Sequence, residues 1–260
     1  MTDTQIRFDS STLVFDGGEG DVELSIDGKD FAGWDDNGEM RRAAIEYAQA
    51  HGSYDLRGFQ SSRLVVFGGL AGSASPESQQ ALRNAVTGII PDGQRDRMVV
   101  DHQGLTLHAY VRLERASWAI ETYGSVARYQ LQMWAADPRK YGQAERFPTE
   151  GTATSVEVFN RGNFPALPVY TIAGDMPNGY ELGAGASRYR VSTPVTPGHP
   201  HTFCTRTGKH WVDGRPVIGG IERFDRWVIQ PHHLIPVTET FIDLRGGTGG
   251  FSVEVPPTYV

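Results

Sequence analysis

The chain has 260 residues, enough for one large domain or two modest ones, each able to bury its own core. Hydrophobic residues make up 39% and charged residues 21%, ordinary for a soluble protein, while 31 glycines and 15 prolines point to many turns and short strands rather than helix bundles. The net charge of −7 argues against sequence-specific nucleic-acid binding, and no apolar run approaches the roughly 20 residues needed to cross a bilayer, so membrane insertion is not expected.

Met1 to Gln5 carries neither the basic nor the apolar region of a secretory signal, so assembly in a cytoplasm is expected. Val22, Leu24 and Ile26 then alternate with Asp21, Glu23 and Ser25 as in a strand, and Asp27-Gly28 has hairpin-turn chemistry. Glu39 to Ala50 has strong helix propensity, with Met40, Ala43 and Tyr47 on one face. Ser62 to Leu70 is an apolar, β-branched stretch bounded by glycine and reads as a strand. A helix is expected from Pro76 to about Ile89. Ser75 can cap its first amides, Pro76 suits the first helical position, and Leu82, Val86, Ile89 and Ile90 form one apolar stripe before Pro91-Asp92-Gly93 stops it.

Two alternating strands follow. Leu105, Leu107, Ala109, Val111 and Leu113 mark the first, and Ala127, Tyr129, Leu131, Met133 and Ala135 the second. Asp137-Pro138 ends the latter, since proline lacks a ladder donor and restricts the residue before it. Glu145 to Thr154 is polar and aperiodic, with Pro148 and Gly151, and is the expected linker between domains 1–147 and 148–260. Cleavage there is expected to release a folded C-terminal half. Beyond it only strand signals occur: Val156 and Val158, Leu167 to Ile172, Tyr189 to Val191, Trp227 to Ile229, and Phe251, Val253 and Val255. Asn178-Gly179 and Asp213-Gly214 supply turns, so the second half reads as a β-sandwich.

Residues able to do chemistry are scattered. His199, His201, His210, His232 and His233 lack the spacing of a zinc site and are expected in solvated loops. Asp35-Asp36, Asp92 with Asp96, and Glu121 offer no recognisable facing pair for glycan cleavage. No Gly-x-Ser-x-Gly elbow marks a nucleophile, and Gly246 to Gly250, without a following lysine and helix, reads as a turn between the last two strands. Cys204, the only cysteine, excludes an intrachain disulfide and reads as a small hydrophobe in a strand. Trp211, Trp227, Tyr180 and Tyr189 fit either a sandwich core or a stacking platform for a sugar. No catalytic, cofactor-binding or metal-ligating residue is therefore assigned.

Four stretches, taken together and in order, resemble the distal tail proteins of long-tailed (siphovirus-type) bacteriophages. They are Gly52-Ser53-Tyr54-Asp55 before Arg63 to Gly69 and the capped helix, then Ala136-Asp137-Pro138-Arg139-Lys140-Tyr141-Gly142, then Asn160-Arg161-Gly162-Asn163 with Pro165-Ala166-Leu167-Pro168, and finally Val253 to Tyr259. The resemblance implies a mainly β chain, with an N-terminal β-barrel-like, two-sheet domain carrying one helix and a C-terminal galectin-like β-sandwich projecting outward. It also aligns Arg42 to Tyr47 with a strand, which we favour over the helix because tertiary context often overrides propensity. Implied with it are a homo-hexameric ring in the virion, at the tip of the tail. Its partners would be the tail tube (major tail) protein and the tail-tip protein, with a receptor-binding protein or host glycan as further candidates, and no enzymatic activity or cofactor. A free carbohydrate-binding sandwich protein and a glycan-cleaving enzyme are the alternatives.

Overall fold

The computed structural model describes residues 4–18, 23–232 and 240–260. The described residues are mainly β with one α-helix, as expected, and the chain divides into two compact units, residues 1–140 with 260 and residues 141–259.

In the first unit, β1 (Thr4–Phe8), β2 (Val14–Asp16), β5 (Arg63–Gly72), β6 (Asp96–His102), β7 (Leu105–Thr122) and β8 (Val126–Ala135) form an antiparallel sheet in the order β2-β1-β6-β7-β8-β5. Ala127, Tyr129, Leu131, Met133 and Ala135 all point inward and are buried, so the period-two pattern of β8 is realised. Their partners include Phe15 and Phe67, whose rings meet edge-on at 5.2 Å. The sheet curls until its two ends share one segment. Leu24 to Asp27 bonds to Asp16 of β2 on one side, and on the other the amides of Ser25 and Asp27 donate to the Leu70 and Gly68 carbonyls of β5. Val22 lies outside the described residues. Asp27-Gly28 makes no hairpin turn; Asp27 instead caps a short 3-10 turn over Gly28–Asp30. The close approach of this segment explains Gly69, where a Cβ would stand 2.0 Å from the Ser25 carbonyl oxygen.

Helix α1 spans Pro76–Thr87, capped by a reciprocal Ser75–Ser78 box, and it buries Leu82 and Val86, with Ile89 and Ile90 buried just beyond it. Buried Gln79 fastens it to the β7–β8 turn by donating to the Thr122 carbonyl and accepting from the Gly124 amide. Glu39 to Ala50 is neither a helix nor the strand expected over Arg42–Tyr47. Only β3 (Met40–Arg41) forms a ladder, with β4 (Phe59–Gln60), and a single bridge joins Glu46 to Ser53 further out. Every residue from 39 to 57 is exposed, so no packing surface rewards the helical stripe.

One buried cation organises this unit's irregular backbone. Arg63, at 3% exposure, donates to the carbonyls of Gly33, Trp34, Asp36 and Pro138. Lys140 donates to the Trp34 carbonyl at 2.6 Å, and its burial, with Arg63 beside it, pushes its ammonium down to about 8.

β9 (Lys140–Tyr141) lies at the division. The second unit is a two-sheet sandwich. One sheet is ordered β10-β20-β12-β15-β16-β17, from β10 (Glu145–Phe147), β12 (Val169–Asp175), β15 (His201–Cys204), β16 (Lys209–Val212), β17 (Arg215–Val217) and β20 (Thr248–Val255). The other is β11-β19-β13-β14-β18, from β11 (Ser155–Val158), β13 (Tyr180–Ala184), β14 (Ser187–Val191), β18 (Ile221–Phe224) and β19 (Thr240–Arg245). Tyr170, Ile172, Leu182, Tyr189, Phe203, Ile242, Phe251 and Val253 fill the space between the sheets. The Asp213-Gly214 turn forms as expected, both residues at positive φ.

Two expectations change here. Glu145–Phe147, expected within an unanchored linker, is strand β10 and pairs with Val253–Val255, because Phe147 finds the sandwich core. Trp227 to Ile229 is buried but not a strand: Ile229 makes one bridge to Ala166, and the Trp227 indole donates to the Tyr170 hydroxyl at 2.8 Å.

The Asn160-Arg161-Gly162 stretch has a physical explanation. Asn160 is fully buried, donates to the Phe164 and Ile229 carbonyls, and accepts from the Gly162 amide, with the Thr258 amide at 3.4 Å. Gly162 lies so close to the last strand, β21 (Thr258–Tyr259), that a Cβ would sit 1.9 Å from the Thr258 carbonyl oxygen. Truncating Asn160 strands several buried backbone groups at once. We expect Asn160→Ala to lower the stability of the second unit by about 3 kcal/mol in denaturant unfolding.

Candidate functional site

The four suspect histidines among the described residues do not gather at one site. His199 bonds exposed Asp213 through Nδ1 at 2.6 Å, and His232 tilts against the Phe159 ring. His233 lies outside the described residues. His201 and His210 correct the expectation of solvated loops: both are 1% exposed, because they point inward from the paired strands β15 and β16. Their rings are joined by a 3.0 Å hydrogen bond between His201 Nδ1 and His210 Nε2. His201 also bonds the Pro194 carbonyl, which places its proton on Nε2 and leaves Nδ1 to accept from His210. His210 Nδ1 then has no partner.

The acids do not face one another. Asp35 accepts from buried His102 at 3.0 Å, Asp96 from the Ser10 amide and hydroxyl, and Glu121 from Arg128. Asp92 sits at positive φ in the turn after α1. Among the described residues no three His, Cys, Asp or Glu side chains gather as metal ligands. Cys204 lies partly buried in β15, and Gly246–Gly247 turns the chain from β19 into β20.

Of the four aromatics considered for a platform, Trp211 alone, half-buried on β16, is partly open to solvent. Tyr180 and Tyr189 are buried with their rings 6.2 Å apart, burial pushing both phenols upward, and Trp227 is buried too. The second unit does carry an open polar cleft of about 360 Å³, lined by Asn178, Glu181, Arg190, Arg245 and the edge of Tyr180. Arg190 pairs with Glu222 and Arg245 with Asp243 across its rim. In the first unit, the exposed arm at residues 39–61 holds a groove between its two legs. Both features lay beyond sequence reasoning, since each depends on residues brought together from separate segments.

The crystal structure of the Dit protein of phage SPP1, described as a paradigm of the hub adsorption apparatus in phages infecting Gram-positive bacteria, superposes with a TM-score of 0.69, covering 99% of each chain at 12% identity. This chain has the Dit fold. A chain of the phage P2 baseplate, in its activated conformation with Ca, matches with a TM-score of 0.53 over 100% of this chain and 98% of that one, at 7% identity. No protein-family model and no curated protein sequence matches. The likeness to Dit therefore rests on backbone architecture through both units. Among the described residues, no helix is long and apolar enough to cross a membrane.

The histidine pair predicts how the Dit-like chain responds to acid. Burial lowers both rings, and His201 adds to the effect on His210, which falls to about 4. Between pH 6.5 and 4 the unfolded chain takes up a proton at this position that the folded chain refuses. Stability is thus full above pH 6.5 and declines toward pH 4, by on the order of 3 kcal/mol for His210. Urea melts across this range should show the decline, and His210→Gln should flatten it.

Proposed function

We propose that this chain is a structural component of a phage tail tip, forming a homo-hexameric ring that joins the tail tube to the adsorption apparatus. The observation that carries the reading is the Dit fold, matched end to end through both units. A hub protein works by presenting interfaces, and the histidines and acids described above are spent on internal contacts rather than gathered around a reaction centre. In this reading the first unit makes the ring and contacts the tail tube protein and the tail-tip protein. The second unit carries attachment points for a receptor-binding protein. The protein is then a virion component, assembled in the host cytoplasm, that acts without catalysis.

The net charge of −7 suits a ring around passing DNA, because like charge keeps a polyanion mobile where a basic lining would hold it. A ring also requires a heterologous contact repeated by one rotation until it closes.

The open cleft of the second unit favours a second reading, in which this sandwich binds a surface glycan. Asn178, Glu181, Arg190 and Arg245 offer donors and acceptors suited to sugar hydroxyls.

The purified chain should show six times its 28.6 kDa mass by native mass spectrometry, and six-fold rings in negative-stain images. A mass of one chain at all concentrations, together with no binding to a tail-tube protein, would contradict the hub reading. Retention on immobilised host-wall polysaccharide, lost in Arg190→Ala with Arg245→Ala, would instead support the glycan reading.

A further inference from the structure

The arm between Glu39 and Ser61 does not follow the economy of the rest of the first unit. It is a two-stranded excursion held by its own bonds: Met40 and Arg41 pair with Gln60 and Phe59, the Tyr54 amide donates to the Ile45 carbonyl, and the Tyr47 and Tyr54 rings meet at 4.6 Å. An isolated pair of strands is marginal in water and needs packing to persist. Yet Met40, Ile45, Tyr47, Tyr54, Leu56 and Phe59 are all large, apolar and exposed. Between its legs runs a groove of about 600 Å³, floored by Ala43, Leu56 and Phe59 and rimmed by Arg41, Arg42 and Arg57. Its occupant must bring apolar side chains flanked by acid.

The first unit carries a surface of that kind elsewhere. At the tip of the β7–β8 hairpin, Ile120 is 55% and Tyr123 77% exposed, the latter the most exposed aromatic ring of the unit. Beside them Asp27, Asp30 and Glu121 crowd around Arg128, three carboxylates outnumbering that guanidinium and the nearby Lys29. Gln79 and the capped helix hold this tip rigidly, so it is a preformed knob.

We infer that the arm of one copy grips the β7–β8 tip of the next, Tyr123 and Ile120 entering the groove while Arg41, Arg42 and Arg57 face the acidic cluster. The two patches differ, so a single contact leaves one arm and one tip free, and repeating it by one closing rotation completes a ring. This inference rests on the ring reading and supplies its interface. The arm buries its apolar face only in the assembly, and high salt weakens the contact.

The test uses the full chain in three forms: unaltered, Phe59→Asp, and Tyr123→Ser. Each changed side chain is exposed, so thermal melts at concentrations too low for association should superimpose while the association constant falls more than tenfold for both variants. In a Cys204→Ser background, Phe59→Cys and Tyr123→Cys should form a disulfide-linked dimer when mixed, and neither should do so alone. If the unaltered chain forms a ring and both variants keep it, with no mixed disulfide, the arm is not the contact and the inference falls while the ring reading stands. If the unaltered chain remains a single copy at every concentration, the ring reading falls and the inference with it.

Discussion

Both units depend on one constraint: irregular backbone that enters a β core must find hydrogen-bond partners there. In the first unit the solution is Arg63, whose guanidinium gathers carbonyls from Gly33, Trp34 and Asp36 on one segment and Pro138 on another. In the second it is the Asn160 side chain, which serves the Phe164 and Ile229 carbonyls and the Gly162 amide. Asn160 commits both its amide nitrogen and oxygen to the backbone, and Arg63 commits its Nε and Nη1. That is why Arg63, though it opens an apolar strand, points into the unit rather than toward solvent. Removing either would leave donors or acceptors stranded in a low-dielectric interior, where each costs more than an ordinary hydrogen bond contributes.

Around these anchors the two units arrange their sheets differently. In the first, Leu24 to Asp27 bonds both β2 and β5 and so closes the curl of the sheet. In the second, the ladders are shared between two facing sheets with a continuous aromatic and aliphatic core. The bridging segment of the first unit leaves fewer strand edges free for random pairing. At the arm, residues 39–61, exposed apolar side chains cluster uncovered.

The polar residues that first suggested chemistry show how burial redirects a side chain's role. His201 and His210 have the composition of a metal site but the geometry of an inward-facing pair, one donating to the other. Their effect falls on acid stability, because the cost of charging them is set by the sandwich interior. Tyr180, Tyr189 and Trp227 likewise serve packing, their rings turned toward Phe203 and Tyr170 rather than toward a ligand.

Local signals determined much of this chain. Alternation in β7 and β8, the Ser75–Pro76 helix start and the Asp213-Gly214 turn were legible because each rests on neighbours within a few residues. The order of the Gly68-Gly69, Asp137-Pro138 and Asn160-Gly162 stretches carried the resemblance to tail proteins, and the Dit fold agrees with it. Tertiary structure alone decided the rest. Glu39 to Ala50 lost its helix because no surface packs against its stripe, and Glu145–Phe147 became a strand because Val253–Val255 stood ready to pair with it. Gly69 and Gly162 are fixed by carbonyls about forty-four and ninety-six residues away along the chain, Ser25 and Thr258. No window of sequence contains such a contact, since close approach is a property of two segments and is settled only when the core brings them together.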